Sequence, residues 1–330
     1  MKIKAILPVQ HFILEEASDS ITVDSMILGK PRVNTDSFYS TKALQDQFGE
    51  LDMVSMDMMH TILILPEASI LASFPRIYQA PKIAEQLTGI FSSFLLGLWF
   101  VSDNSVCVST CRTIDTDTGA IGESTRHILY SNSEGLYTPT KFSVSSLTKA
   151  FEFISLIRSL RENEDHDLQL YNETNEQQNS TQVGNSNFIA YNKNMNRLSR
   201  ALRFLEYARA NSFLPQKISF YVCVLECLFT SDPGEITHKI CERATLFIGG
   251  TAAEKLDNFQ MIKKAYKIRS AYFHGSYLKD GGDFVSLRNL SSRLDAFLRP
   301  LLATAISTNK ETFLLPADKL TEKFNEMIFR

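Results

Sequence analysis

The chain has 330 residues and a mass of 37.3 kDa, with 44% hydrophobic and 22% charged residues. These proportions exclude a wholly disordered, collagen-like or tail-like chain. The length exceeds the roughly 250 to 300 residues at which a single core stops growing, so two domains are expected. With 34 Lys and Arg against 37 Asp and Glu the formal net charge is -3, and no global cationic field advertises nucleic acid as a partner.

Lys2 and Lys4 alternate with apolar residues and Pro8 follows soon after, so the N-terminus reads as a strand rather than a signal peptide. The longest apolar-rich stretch, residues 89–101, spans 13 residues and contains Ser92 and Ser93, short of the roughly 20 needed to cross a membrane. Five cysteines at low density do not make the disulfide framework of a secreted domain, and a soluble protein of the reducing cytoplasm is expected.

Residues 3–6, 21–23 and 60–65 carry strand patterns, and strands are expected to dominate up to about Pro75. From Pro81 the period becomes helical, with Ile83, Leu87, Ile90, Phe91, Phe94, Leu95 and Leu98 on one face. Strand-like runs follow at 106–108 and 127–130, and a helix at 145–160 carries Leu147, Phe151, Ile154 and Ile157 on one side. Residues 162–187 hold six acids and no Lys or Arg among many Asn and Gln, a composition that buries too little apolar surface to offset its ordering entropy. The expected organisation is an α+β domain at 1–160, an acidic Asn/Gln-rich linker or loop at 161–190, and an all-α bundle at 191–330. Helices are expected in that bundle at 194–210, 216–230, 235–249, 258–274 and 285–309, the last interrupted near Pro300. On the first of them Arg197, Arg200, Arg203 and Arg209 form a basic side.

No GxxxxGK[ST], GxGxxG, HExxH or paired CxxC motif occurs, which removes the usual support for P-loop, Rossmann, zincin and zinc-ribbon readings. Cys223 and Cys227 stand at i and i+4 on a helix without two further ligands in view, and packing accounts for them better than a metal. Cys107 and Cys111 are expected on one face of a strand, too far apart to share an ion. Asp115, Asp117 and Glu123 near strand ends resemble a ligand set, but a polar loop accounts for them. The remaining candidate is Arg269-Ser-Ala-Tyr-Phe-His274-Gly275. The bare spacing is cheap, since Arg161 and His166 repeat it at the entry to the acidic segment. The second pair differs in following Lys263, Lys264 and Lys267 and preceding a glycine suited to a left-handed cap. Five residues at about 100° each place Arg269 and His274 roughly 140° apart around a regular helix. They meet only if the last turn unwinds at Gly275 or if two subunits pair. The negative end of the helix dipole suits a protonated histidine, and so a general acid.

The C-terminal half resembles the HEPN domains, and in particular the Apea-like HEPN group. The resemblance rests on Val224-Leu225-Glu226-Cys227-Leu228-Phe229, on Ile240-Cys241-Glu242-Arg243-Ala244-Thr245-Leu246-Phe247, and on the run from Ile262 through Arg269 and His274 to Gly275, in that order. It covers about residues 197–302, and Phe273 stands where the family often has a smaller aliphatic residue. It implies a metal-independent endoribonuclease, without cofactor, that works as a homodimer on RNA, tRNA among the targets, in prokaryotic defence against phage. His274 would then be general acid/base, Arg269 would hold the scissile phosphate, and Glu226 would orient one of them. Tyr272, Lys263, Lys264 and Lys267 would contact substrate, and a phage-derived trigger would act through the first domain. The structural reading of the same residues is that Arg269 pairs with an acid to brace the bundle, His274 caps a helix, Tyr272 packs and Arg243 forms a buried ion pair. On that reading the helical half is a catalytically inactive dimerisation or binding module for RNA, nucleotide or protein. Between residues 255 and 299 nine Lys or Arg face four acids, a local excess that the acidic segment conceals in the total.

Overall fold

The computed structural model describes residues 3–16, 18–23, 26–40, 45–46, 48–65, 80–125, 128–176, 195–231, 234–276 and 283–328, with side chains of 161–176 excluded. The chain divides into two compact units, Met1–Glu152 and Phe153–Arg330, and the class is α+β.

In the first unit an antiparallel sheet has the order β3-β4-β5-β1-β7-β8: Ser20–Val23 (β3), Met26–Gly29 (β4), His60–Ile64 (β5), Ile3–Gln10 (β1), Thr110–Asp115 (β7) and Ile121–Thr125 (β8). Short strand β6 (Cys107–Val108) extends the β1 edge beyond β7, and Phe12–Leu14 (β2) pairs in parallel with Thr140–Phe142 (β9). β1 is central because its residues are apolar on both faces: Ala5, Ile6 and Leu7 are all fully buried. One face carries Ile6, Leu63 and Ile114 against Phe38 and Tyr39 and against Met56. Phe38 ends helix α1 (Thr35–Phe38), and Met56 lies on α2 (Glu50–Asp57), so helices occupy part of a region expected to be mostly strand. Arg112 sits on this face at 8% exposure, 2.7 Å from Asp52 and 3.3 Å from Glu123, which removes Glu123 from any ligand set. Nearby, burial pushes the Tyr39 phenol up to about 12.

The other face is covered by α3 (Ala80–Val101), whose first carbonyl accepts a 2.9 Å hydrogen bond from Thr113. α3 exceeds the expected apolar stretch and is long and apolar enough to cross a membrane, but 72% of its most apolar window is buried inside the protein. Its interior face explains that composition.

The β1 register corrects the reading of two cysteines. Ile6 stands opposite Arg112 and Val9 opposite Val108, so four steps along β6–β7 match three along β1. That extra residue is a bulge, and it shifts the side-chain alternation by one. Cys107 therefore shares the Ile6 face, with its thiol 3.4 Å from Gln10 Oε1, while Cys111 falls on the opposite face. Residues 128–130 are not a strand. Ile128 and Leu129 are about half exposed and lead into a loop organised by Asn132, whose Oδ1 accepts from the Glu134 and Leu136 amides.

Helix α4 (Val144–Glu176) contains the boundary between the units and runs on through the first part of the segment expected to be a linker; residues 177–194 lie outside the described residues. Leu147, Ile154, Ile157 and Leu160 anchor its first four turns, and extending a formed helix costs far less than nucleating one.

The second unit is helical: α5 (Arg197–Arg209), α6 (Leu214–Phe229), α7 (Ile236–Ile248), α8 (Ala252–His274), α9 (Phe284–Ser307), α10 (Lys310–Leu314) and α11 (Ala317–Ile328). α6 is central and packs on α5, α7, α8 and α9. The basic side of α5 is partly consumed inside the unit: Arg197 donates to the Cys227 and Thr230 carbonyls at 3.2 and 2.6 Å, and Arg209 is 1% exposed. Arg243 is structural, donating to the Phe229 carbonyl at 2.7 Å with its guanidinium 4.7 Å from the Phe324 ring centre. α8 starts a turn and a half before its expected position, because Thr251 and Glu254 form a capping box. α9 continues through Pro300 without a break, since Pro300 lies on its exposed side while Leu298, Leu301 and Leu302 remain buried. Water can satisfy the carbonyl that the proline leaves free.

A Cβ at Gly122 would come within 2.3 Å of the Ala80 carbonyl carbon, so Gly122→Ala should destabilise this unit by about 1–3 kcal/mol, read as a lower urea midpoint. His60 Nε2 accepts the Leu14 amide at 3.2 Å, and burial, then Lys30, lower its pKa from 6.5. The native state thus disfavours the proton relative to the unfolded chain. Its contribution to stability is present above pH 6.5 and is lost as pH falls through the depressed native value; His60→Gln should flatten that part of a melting-temperature profile.

Candidate functional site

Glu226 lies late on α6, where that largely apolar helix reaches the surface, and α8 crosses beside it. Residues three apart share a helix face, so α8 presents Tyr266 and Arg269 together toward α6. Tyr266 donates its hydroxyl to Glu226 Oε1 at 3.1 Å, and Arg269 Nη2 contacts Glu226 Oε2 at 3.4 Å. The Arg269 and Glu226 side chains are 33% and 24% exposed, so the pair is desolvated only in part. The guanidinium also lies 5.4 Å from the centre of the Phe273 ring, and its buried Nε has no hydrogen-bond partner among the described residues. Burial, then the Glu226 carboxylate, push the Tyr266 phenol far above its ordinary value and keep it a donor. Cys223, beside the pair, is pushed up to about 11 by burial and then by Glu226, and burial takes Cys227 to about 12. Both are neutral thiols, and no group of three ligand side chains occurs among the described residues.

His274 is the last residue of α8 and is exposed. The helix stays regular up to it and ends at Gly275, φ 68° and ψ 22°, where the Ser276 amide returns to the Ala271 carbonyl at 2.9 Å. No unwinding brings His274 round to Arg269, and the two remain roughly 140° apart on the axis. His274 instead shares the outer face of α8 with Lys263 and Lys267, while Lys264 flanks that face; all three lysines are exposed. Tyr272 is partly buried, with its ring 5.9 Å from Phe213 and 5.3 Å from Phe273.

No family profile, curated protein or solved structure matches the chain.

The expected residues therefore fall into two groups. Glu226 and Arg269 form a bracket, with Tyr266 as a third member that the sequence reading missed. The signal for it was present, because Tyr266 precedes Arg269 by three on a helix. His274, Lys263, Lys264 and Lys267 form the second group, outside the bracket, and Tyr272 packs with aromatic neighbours. Asp115 and Asp117 are joined within a hairpin turn, the Asp117 amide donating to Asp115 Oδ1 at 2.9 Å. The Arg161 and His166 side chains lie outside the described residues.

What the bracket can do is fix one cation at the surface, with Glu226 setting its height and Phe273 its tilt. A partly exposed pair of this kind couples weakly. In a double-mutant cycle of Glu226→Gln and Arg269→Gln, a stability coupling of about 0.5–1 kcal/mol is expected at low salt, shrinking in high salt.

Proposed function

We propose that the helical unit is a metal-independent endoribonuclease of the HEPN type that acts as a homodimer in the cytoplasm, cleaving RNA, tRNA among its targets, in defence against phage. The observation that carries the reading is Arg269, paired with Glu226 at 3.4 Å yet with its side chain one-third exposed, on the same helix as an exposed histidine. RNA supplies its own nucleophile. The 2′-oxygen attacks the adjacent phosphorus, its proton passes to a base, and the 5′-oxygen leaves with a proton from an acid, giving a 2′,3′-cyclic phosphate and a 5′-hydroxyl. The protein then need only move protons and stabilise charge, with His274 as acid/base and Arg269 on the phosphate. Arginine suits that role through its rigid fork of donors. Because the two residues lie on different faces of one α8, each centre would combine Arg269 of one copy with His274 of the other. The first unit would receive the phage-derived trigger.

A second reading has an observation of its own in favour. Arg269 pairs with Glu226, and His274 ends a capped helix, as in a bundle that only binds. The two readings separate when purified protein is incubated with total RNA in EDTA, with and without lysate from phage-infected cells. Cleavage by the wild type that falls about 10²-fold or more in His274→Ala and Arg269→Ala is the expected result. Uncut RNA in every arm would leave the binding module; cleavage that persists in His274→Ala would move the acid/base role elsewhere.

A further inference from the structure

The outer face of α8 carries a one-sided charge distribution. From Asn258 to Ser276 the chain contains no acidic residue. Met261, Ile262, Ala265, Tyr266 and Ile268 are buried against neighbouring helices, which leaves Lys263, Lys264, Lys267 and His274 in solvent. At 100° per residue Lys263, Lys267 and His274 lie within about 40° of one another, and at 1.5 Å per residue they extend over about 16 Å. Asp257, the nearest acid before this stretch, is 2.5 Å from Arg293 and pairs with it. Beside His274, the ring of Phe273 is 54% exposed although Arg269 stands over it. Phe273 lies about 80–100° round the helix from the Lys263–His274 stripe, at its C-terminal end, so a strand that follows the cations and turns at the end of α8 brings a base to the ring; cations with a neighbouring exposed aromatic are the combination that holds an unpaired strand. A base within a duplex is already stacked and cannot reach that ring.

We propose that the outer face of α8 binds an unpaired RNA strand, its phosphates along Lys263, Lys264 and Lys267 and one unstacked base against Phe273, so that the strand ends at His274. This deepens the nuclease reading and rests on it for RNA as the class of ligand. It gives His274 its phosphate from the lysine side, while the base on Phe273 lies beside the Arg269 bracket of the same copy.

The test is binding, kept apart from cutting. A short fluorescein-labelled single-stranded RNA with 2′-O-methyl riboses has no nucleophile and stays intact. Its affinity for the full chain is measured by anisotropy over a range of salt concentrations. Each phosphate contact on a single strand contributes about 0.7 to the slope of log affinity against log salt, so the triple variant Lys263→Gln, Lys264→Gln, Lys267→Gln should lower the slope by about two. Phe273→Ala should weaken binding about tenfold with the slope unchanged. Circular dichroism checks that the variants are folded. No binding by the wild type, a slope unaltered in the folded triple variant, or equal affinity for a duplex of the same length would each overturn the proposal. If the labelled strand binds through the lysines while total RNA is never cut, the nuclease reading fails and this one stands; cutting with an unaltered salt slope gives the reverse.

Discussion

Burial of α6 is the constraint on which the helical unit depends. It carries only two charged side chains, Lys217 and Glu226, and twelve of its residues are buried. A helix that apolar must be surrounded, and α5, α7, α8 and α9 surround it. The two charges meet that demand differently. Lys217 is wholly buried and gives its ammonium to the Ala208 carbonyl at 2.8 Å, with the Tyr221 ring 5.9 Å away. Tyr221 in turn donates to Asp295 at 3.0 Å, and Asp295 pairs with Arg299. Groups this deeply buried must be hydrogen-bonded, because an unpaired buried charge costs several kcal/mol. Glu226 instead sits where α6 emerges, and its two oxygens are taken by Tyr266 and Arg269 of α8. The position of the surface arginine is thus a consequence of where the core helix ends its burial.

How much of this was legible in the sequence depends on whether the signal was local. α3 and α5 to α9 were readable because their apolar positions recur with the helical period over three turns or more. Expected and observed ends differ mainly where a cap decides, as at Thr251 and Glu254. The acidic segment misled because composition reports burial, whereas helix continuation depends on what precedes it; α4 is already formed by Leu160. Pro300 misled for a related reason, since the cost of a proline depends on which side of the helix it occupies. The bulge between β6 and β7 was invisible because it is a relation between two strands and β1 partners that lie about a hundred residues away in sequence. It alone decides that Cys107 and Cys111 face opposite ways. Within the candidate site, Arg269 and Glu226 were named and are joined. Their third partner was overlooked because a tyrosine in an amphipathic helix reads as packing, and Tyr266 is in fact 8% exposed as well as hydrogen-bonded.

Among the described residues of the first unit there is no comparable surface charge arrangement that points to chemistry. Arg112, its most buried cation on the sheet, is occupied by Asp52, Glu123 and the Phe48 ring at 5.4 Å. That cluster fastens α2 to the sheet. Two carboxylates around one guanidinium leave it little capacity for a further anion, so its role is to hold the fold.

The angular separation of Arg269 and His274 sharpens what two copies would have to accomplish. A regular helix cannot bring residues five apart to one face, and the cap at Gly275 keeps this one regular to its end. On the nuclease reading a single copy would offer phosphate charge stabilisation on one side and a proton donor on another, and neither alone would cleave a phosphodiester. A twofold axis near the end of α8 would resolve this, because an isologous contact sets residue i of one copy against residue j of the other and repeats the match in reverse. Two equivalent centres then arise from one contact, each dependent on association. Activity in such an arrangement rises with protein concentration and with anything that favours pairing, so assembly itself becomes the step a trigger can control. The net charge of -3 fits that form of restraint: the cationic face of α8 is local, and the whole chain has no general attraction for nucleic acid.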